Sequence, residues 1–421
     1  MNDFDYIDGK LFCENVPIDV VAKQVGTPFY LYSSAALKRN FQDFDSGFEG
    51  QKHITCFAVK ACSNLAILHI LGKMGSGADI VSGGELFRAM KAGIRPEKII
   101  YSGVGKTRAE MREALYGGIL MFNLESPQEL DRLQEVAADV GAVPKVAFRI
   151  NPDVDPKTHA YISTGLAKNK FGIPINEALE QYVRARDMEN IEVVGVSCHI
   201  GSQLTRVEPF VEALQKLKRF IETLSQQGVV VEYLDLGGGV GITYDDEQPP
   251  SPREYARAIR EELDGLDCTL ILEPGRVITG NAGILVSKVQ YTKVNNGGEK
   301  EKRFVVVDAA MNDLTRPALY DAYHNVLPVV ETDSAQVLVD IVGPICETGD
   351  FLARDRMMPT VAQDDLLAVM SCGAYGFSMS SNYNSRPRIP EVLVKDERFQ
   401  VIRYREEYED LLRGESLSVM E

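Results

Sequence analysis

The feature that most constrains this chain is an alternation repeated eight times. From residue 54 onward, short β-branched and apolar runs recur, each ending in small or polar residues. They are ITCFAVK (54–60), GADIVS (77–82), KIIYSG (98–103), ILMFNLES (119–126), KVAFRIN (145–151), VVGVSCHIGS (193–202), YLDLGGG (233–239) and LILEPGR (270–276). Between them lie segments with helical periodicity, among them NLAILHILGKMG, PQELDRLQEVAADV and PREYARAIREEL. Near-continuous apolar strands of this length belong to a parallel sheet covered on both faces. Eight comparable strand–helix units favour closure into a (β/α)8 TIM-type barrel over an open doubly wound sheet. The expected class is α/β, with the barrel spanning residues 31–278.

After about residue 279 the rhythm changes. ILVSKVQYTKV, KRFVVVDAA, AQVLVDIVG, DLLAVMSCGAYG and RFQVIRYR read as strands without long helices between them. Residues 279–421 are therefore expected to form a β-rich sandwich or barrel domain, with residues 1–30 joining it. A length of 421 residues accommodates both.

Charge and cysteines narrow the function. A formal net charge of −16 argues against a nucleic-acid partner, because phosphate binding needs a basic surface. No apolar run approaches the roughly 18 residues of a membrane span, and the acidic opening MNDFDYIDGK lacks a secretory pattern, so a cytoplasmic location is expected. The seven cysteines are scattered with no CxxC pair, and no histidine cluster has metal-ligand spacing. No metal is expected.

The candidate reactive residues fall at or near the C-terminal ends of expected strands, the face where barrel active sites form. Lys60, in CFAVKACS, is either a strand-end lysine whose amine reaches solvent or an amine tuned by burial to attack an aldehyde. GGGVG (237–241) is a tight turn or a backbone cradle for an anion; it fits neither the dinucleotide fingerprint nor a P-loop. EPGR (273–276) places Glu273 and Arg276 on a rigid Pro-Gly turn, suited to a ring nitrogen and to an anion, or else to a surface ion pair. His199, in CHIGSQ, is a core histidine or a flat partner for a ring, with Ser202 a ready phosphate donor. Arg316 and Tyr320 share a face if RPALY is helical, and Cys346 and Glu347 sit together in a turn-rich loop. Tyr375 lies in a glycine- and serine-rich stretch. Together these fit one cofactor, with a lysine for an aldehyde, glycines for a phosphate, His199 for a ring face and Glu273 for a pyridine nitrogen.

Read in order, AVKA, HIGSQ, LDLGGGVG, EPGR, RPALY, CET and GAYG resemble the barrel-fold decarboxylases that use pyridoxal 5'-phosphate (PLP) and act on amino acids, over nearly the whole chain. The resemblance implies that Lys60 bonds the cofactor aldehyde and that His199 stacks on its ring. Ser202, Gly239 and the backbone from Glu273 through Gly275 to Arg276 would hold its phosphate. Glu273 would pair with the pyridine nitrogen, Tyr375 would contact cofactor and substrate, and Asp79 would lie nearby. It further implies that Arg276, Arg316, Tyr320 and Glu347 bind substrate and that Cys346 donates a proton. The Cys346–Glu347 loop would enter a neighbouring subunit's site, making a homodimer with shared sites. A distal carboxylate for Arg316 favours meso-2,6-diaminopimelate as substrate and L-lysine as product. Decarboxylation of another amino acid is the alternative, and a non-catalytic PLP-binding protein a further one.

Overall fold

The computed structural model describes residues 3–155, 170–296 and 301–418. The chain divides into two compact units. One runs from Lys38 to Ile278; the other comprises the described residues up to Leu37 and from Thr279 onward.

The first unit is a closed barrel of eight parallel strands. In chain order they are β1 (His53–Ala58), β2 (Gly77–Ile80), β3 (Ile99–Tyr101), β4 (Met121–Leu124), β5 (Lys145–Asn151), β6 (Glu192–Ser197), β7 (Tyr233–Asp235) and β8 (Thr269–Leu272). Each pairs with the next, and β8 pairs back onto β1 through Leu270↔His53 and Leu272↔Thr55. Cys56, Ile100, Met121, Ala147, Val194 and Ile271 form one buried cluster from six different strands, which is why the sequence shows apolar runs rather than alternation. β6 carries a register shift between Val193 and Gly195. A Cβ on Gly195 would sit 2.8 Å from the Tyr233 carbonyl oxygen, so only glycine fits that crossing.

Polar residues beyond the strands start the helices. Asn64, Ser82, Thr107, Ser126 and Ser251 each accept a hydrogen bond from a first-turn backbone N–H, heading Leu65–Lys73, Gly83–Lys91, Arg108–Gly117, Pro127–Val140 and Pro252–Glu262. Each cap contributes about 1 kcal/mol to the helix it heads.

The second unit is built on a nine-stranded sheet. Its path runs Phe351–Pro359, Gln336–Val342, Lys302–Val307, Gly283–Asn295, Phe29–Ser33, Glu391–Lys395 and Arg398–Arg403. Val326–Pro328 and Leu366–Val369 branch from Gly283–Asn295. That 13-residue strand pairs over its first half with Phe29–Ser33 and Leu366–Val369, and over its second half with Lys302–Val307. Four strands of this sheet were not apparent in the sequence: Phe29–Ser33, Val326–Pro328, Phe351–Pro359 and Glu391–Lys395.

Candidate active site

Every barrel strand after the first delivers a buried polar side chain within two residues of its C-terminal end. These are Asp79, Ser102, Asn123, Arg149, Ser197, Asp235 and Glu273. Burial of so many polar groups is tolerable only where they bond to one another or await a ligand.

Lys60 stands on a one-turn 3-10 helix, Val59–Ala61, directly after β1. Its amine is not sequestered among apolar groups as the sequence suggested. The side chain is 36% exposed, and Nζ pairs with the fully buried Asp79 carboxylate through Oδ2. The other oxygen, Asp79 Oδ1, is buried with no hydrogen-bond partner among the described residues. The lysine is thus held by a charge rather than by desolvation.

His199 follows β6. Its Nδ1 accepts from the Gly238 N–H at 3.2 Å, and Arg149 Nη2 donates to its carbonyl at 3.3 Å. Burial, with the positive charges of Arg149 and Lys60, holds the imidazole well below its usual pKa. A neutral ring with the proton on Nε2 follows from these contacts. Arg149 is itself fixed by Glu125 at 3.0 Å, and Glu125 accepts the Gly172 N–H at 2.8 Å.

Deeper in the barrel lies a closed polar ring. Asn123 Nδ2 donates to Asp235 Oδ2 at 2.7 Å and to Ser102 Oγ at 3.1 Å; the Ser102 hydroxyl donates to Glu273 Oε1 at 3.4 Å. Asp235 and Glu273 hydrogen-bond to each other through their carboxyls, which requires a shared proton. Burial pushes Glu273 well above the carboxylate range, with the charges of Asp235 and Asp79 adding to it. Burial also raises Asp235, to about 6, against bonds from the Gly237 N–H and Asn123. Asp235 has the better donors and is the better anion, so the proton rests on Glu273.

The ring has a measurable consequence for the cofactor-free protein. Asp235 ionises near pH 4 in an unfolded chain but about 6 when folded, so stability is lost as pH rises between these values. Asp235→Asn carries no such proton. Urea unfolding should show the variant gaining about 2 kcal/mol relative to wild type between pH 4 and 6.5. A difference that stays constant over that range would contradict the shared proton.

The three glycines after β7 cross other chain segments at closest approach. A Cβ on Gly238 would lie 2.1 Å from the Glu273 carbonyl oxygen, and one on Gly239 2.4 Å from that of Gly201. Gly239 also has φ +116°, closed to other residues. This crossing brings the His199–Ser202 turn and the Glu273–Arg276 turn together as bare backbone. Across it, Arg276 Nη2 donates to Ser202 Oγ at 3.0 Å and Nη1 to Tyr244 Oη at 2.5 Å. Gly275 is buried at the start of the short helix Arg276–Thr279.

The remaining expected residues belong to the second unit. Arg316 is buried and opens the helix Arg316–Tyr320, with its guanidinium 5.9 Å from the Tyr320 ring centre. Cys346 and Glu347 are exposed on the loop between Gln336–Val342 and Phe351–Pro359. That loop is anchored by Asp350, which accepts from the N–H groups of Ile345 at 2.6 Å and Met311 at 2.7 Å. The Cys346 N–H donates to Asn384 Oδ1 at 3.1 Å, and the Tyr383 hydroxyl donates to Glu347. Tyr375 adopts a left-handed backbone with φ 56°.

Sequence reasoning passed over Ser102, Asn123, Glu125, Arg149, Asp235, Tyr244, Tyr383 and Asn384. The signal was present for Asn123, Arg149 and Asp235: each is a lone polar residue near the end of an apolar strand run.

An amine beside a buried carboxylate, a side-chain-free crossing and a carboxyl that holds its proton suit a phosphorylated aldehyde on a basic ring. The Asp79 oxygen left without a partner among the described residues, beside the Lys60 amine, fits such a group. The barrel is thus that of a PLP-dependent enzyme. Residues 34–280 match the family described as "Pyridoxal-dependent decarboxylase, pyridoxal binding domain". The chain is 52% identical over 417 residues to diaminopimelate decarboxylase of Pseudomonas aeruginosa, covering 99% of both chains. It also resembles the crystal structure of diaminopimelate decarboxylase from Helicobacter pylori complexed with L-lysine (TM-score 0.90, 44% identity, 94% of this chain and 98% of that one). The corresponding M. jannaschii enzyme, in co-complex with L-lysine, gives a TM-score of 0.94 at 39% identity, over 99% and 98% of the two chains. The chain belongs to the diaminopimelate decarboxylase family of pyridoxal-dependent decarboxylases.

Proposed function

We propose that this chain catalyses PLP-dependent loss of CO2 from meso-2,6-diaminopimelate, leaving L-lysine, the last step of lysine biosynthesis. The observation that carries the reading is the convergence of Lys60, the glycine crossing and the proton-bearing Glu273 at one end of the barrel. When bound, PLP supplies an electron sink for the pair of electrons left at Cα as CO2 departs. Lys60 Nζ would bond the cofactor aldehyde and would be the amine that the substrate amine replaces. His199, neutral and locked through Nδ1, would present its face to the cofactor ring. Ser202, Gly239, Gly275 and Arg276 would hold the phosphate, and Asp79 holds Lys60. Glu273 would give its proton to the pyridine nitrogen and stay beside it as the counter-charge, with Asp235 relieved of sharing. Cys346 delivers a proton to Cα. Arg276, Arg316, Tyr320, Glu347 and Tyr375 bind the substrate, the arginines reading its distal carboxylate.

The test is the product. Lysine and CO2 should form from meso-diaminopimelate when PLP is present, and lysine, ornithine and arginine should release no CO2. Turnover of any of these three in preference to diaminopimelate would move the assignment to another amino-acid decarboxylase.

The working form we infer is a cytoplasmic homodimer in which the Cys346–Glu347 loop completes the neighbouring site. The exposure of Cys346 supports this, since a thiol that protonates carbon cannot act from open solvent. Among the described residues, no helix is long and apolar enough to cross a membrane. Mixing inactive Lys60→Ala and Cys346→Ala subunits should restore about a quarter of wild-type turnover, because mixed dimers carry one intact site each. No recovery on mixing would place Cys346 in its own subunit's site.

A further inference from the structure

We propose that His324 is a positioning residue for Arg316, setting the direction of the guanidinium that reads the substrate's distal carboxylate. This rests on the reading of Arg316 given above. The helix Arg316–Tyr320 is only five residues long and ends at Asp321, which has a left-handed backbone with φ 52°. The chain therefore turns back at once and returns His324 to the start of the helix. His324 is fully buried, and Arg316 Nε donates to its Nε2 at 3.3 Å.

The opposite edge of the imidazole decides whether that bond can form. His324 Nδ1 lies 2.9 Å from the Met370 carbonyl oxygen, which can only accept. Nδ1 therefore carries the hydrogen, and in the neutral ring Nε2 keeps the lone pair that receives the guanidinium N–H. Met370 is itself fixed, because its N–H donates to the Asn325 carbonyl at 2.8 Å at the end of the Val326–Pro328 and Leu366–Val369 pairing. Cys372 Sγ packs 3.6 Å from Nδ1 and donates to the Val369 carbonyl at 3.2 Å. Burial keeps that thiol protonated, so no thiolate competes for the ring.

The imidazole thus transmits the position of a sheet edge to a charged side chain on a helix too short to hold it. A bond at Nε fixes the plane of the guanidinium, and the plane determines which carboxylate geometry its outer nitrogens meet. The Tyr320 ring limits the same group from the helix side.

The experiment compares the holoenzymes of His324→Leu and His324→Gln with meso-diaminopimelate as substrate. The leucine variant should raise KM about tenfold with kcat within about twofold and PLP affinity unchanged. Glutamine, whose side-chain carbonyl can accept from Nε, should recover most of the loss. In an Arg316→Ala background, His324→Leu should add nothing further. An unchanged KM in His324→Leu, or additive losses in the double variant, would overturn the positioning role. Should Arg316→Ala alone leave KM unaltered, the reading of Arg316 fails, and the proposal falls with it for a distinguishable reason. If the leucine variant does not fold, nitrogen NMR of histidine-labelled wild type decides, with the His324 signal assigned by its absence in His324→Gln. A hydrogen on Nδ1 supports the proposal, and one on Nε2 overturns it.

Discussion

Lys60→Ala is expected to lose the visible absorbance of the covalently held cofactor and to reduce kcat by about 10,000-fold or more. Among the described residues, no other lysine stands at the end of β1 beside the buried Asp79 carboxylate. The amine has two duties, as the nucleophile toward the cofactor aldehyde and as the counter-charge to Asp79. Alanine removes both and leaves Asp79 buried alone, so the loss would mix chemistry with stability. Lys60→Arg separates them, because the guanidinium still neutralises Asp79 but forms no bond of this kind. It should melt close to wild type and be as inactive as alanine. A reduced and digested holoenzyme should carry the cofactor mass on the peptide containing Lys60. The mass on any other lysine would sink the assignment.

Glu273→Gln is expected to reduce kcat by about 100-fold or more while KM changes little. Burial and the nearby charges of Asp235 and Asp79 make Glu273 hold its proton. A carboxyl in that state can hand the proton to a ring nitrogen and remain as its partner; an amide can do neither. The loss should fall on kcat because the ring must accept electrons only as CO2 leaves. Glu273→Asp, with a carboxyl on a shorter stem, should recover part of the rate. A glutamine variant with wild-type kcat would show that the ring nitrogen needs no acid here.

The barrel was legible because its strands are buried on both faces and therefore appear as continuous apolar runs. Their ends were less so. The sequence places Lys60 as the last residue of a strand, but β1 stops at Ala58 and Lys60 sits on the following turn. Its pairing with Asp79 joins residues 19 positions apart, which no local pattern reveals. The ring around Glu273 was hidden for the same reason, since Ser102, Asn123 and Asp235 look like ordinary strand residues until closure brings them to it. In the second unit, Phe351–Pro359 escaped notice because ARDR exposes its middle and breaks the apolar run. The i, i+4 spacing in RPALY did anticipate the helix Arg316–Tyr320, a purely local property. The role of the Cys346–Glu347 loop came from family resemblance, because nothing in the composition of a turn says what it will reach.

Phe29–Ser33 has a consequence for how the chain is made. All five residues are buried, and the strand lies between Gly283–Asn295 and Glu391–Lys395. It leaves the ribosome early, whereas both neighbours emerge late. Throughout synthesis of the barrel it has neither edge satisfied, and FYLYS is the kind of segment that joins other chains in that condition. The order of the sequence thus imposes a waiting period on the nascent chain, from the emergence of Phe29–Ser33 until Gly283–Asn295 is made.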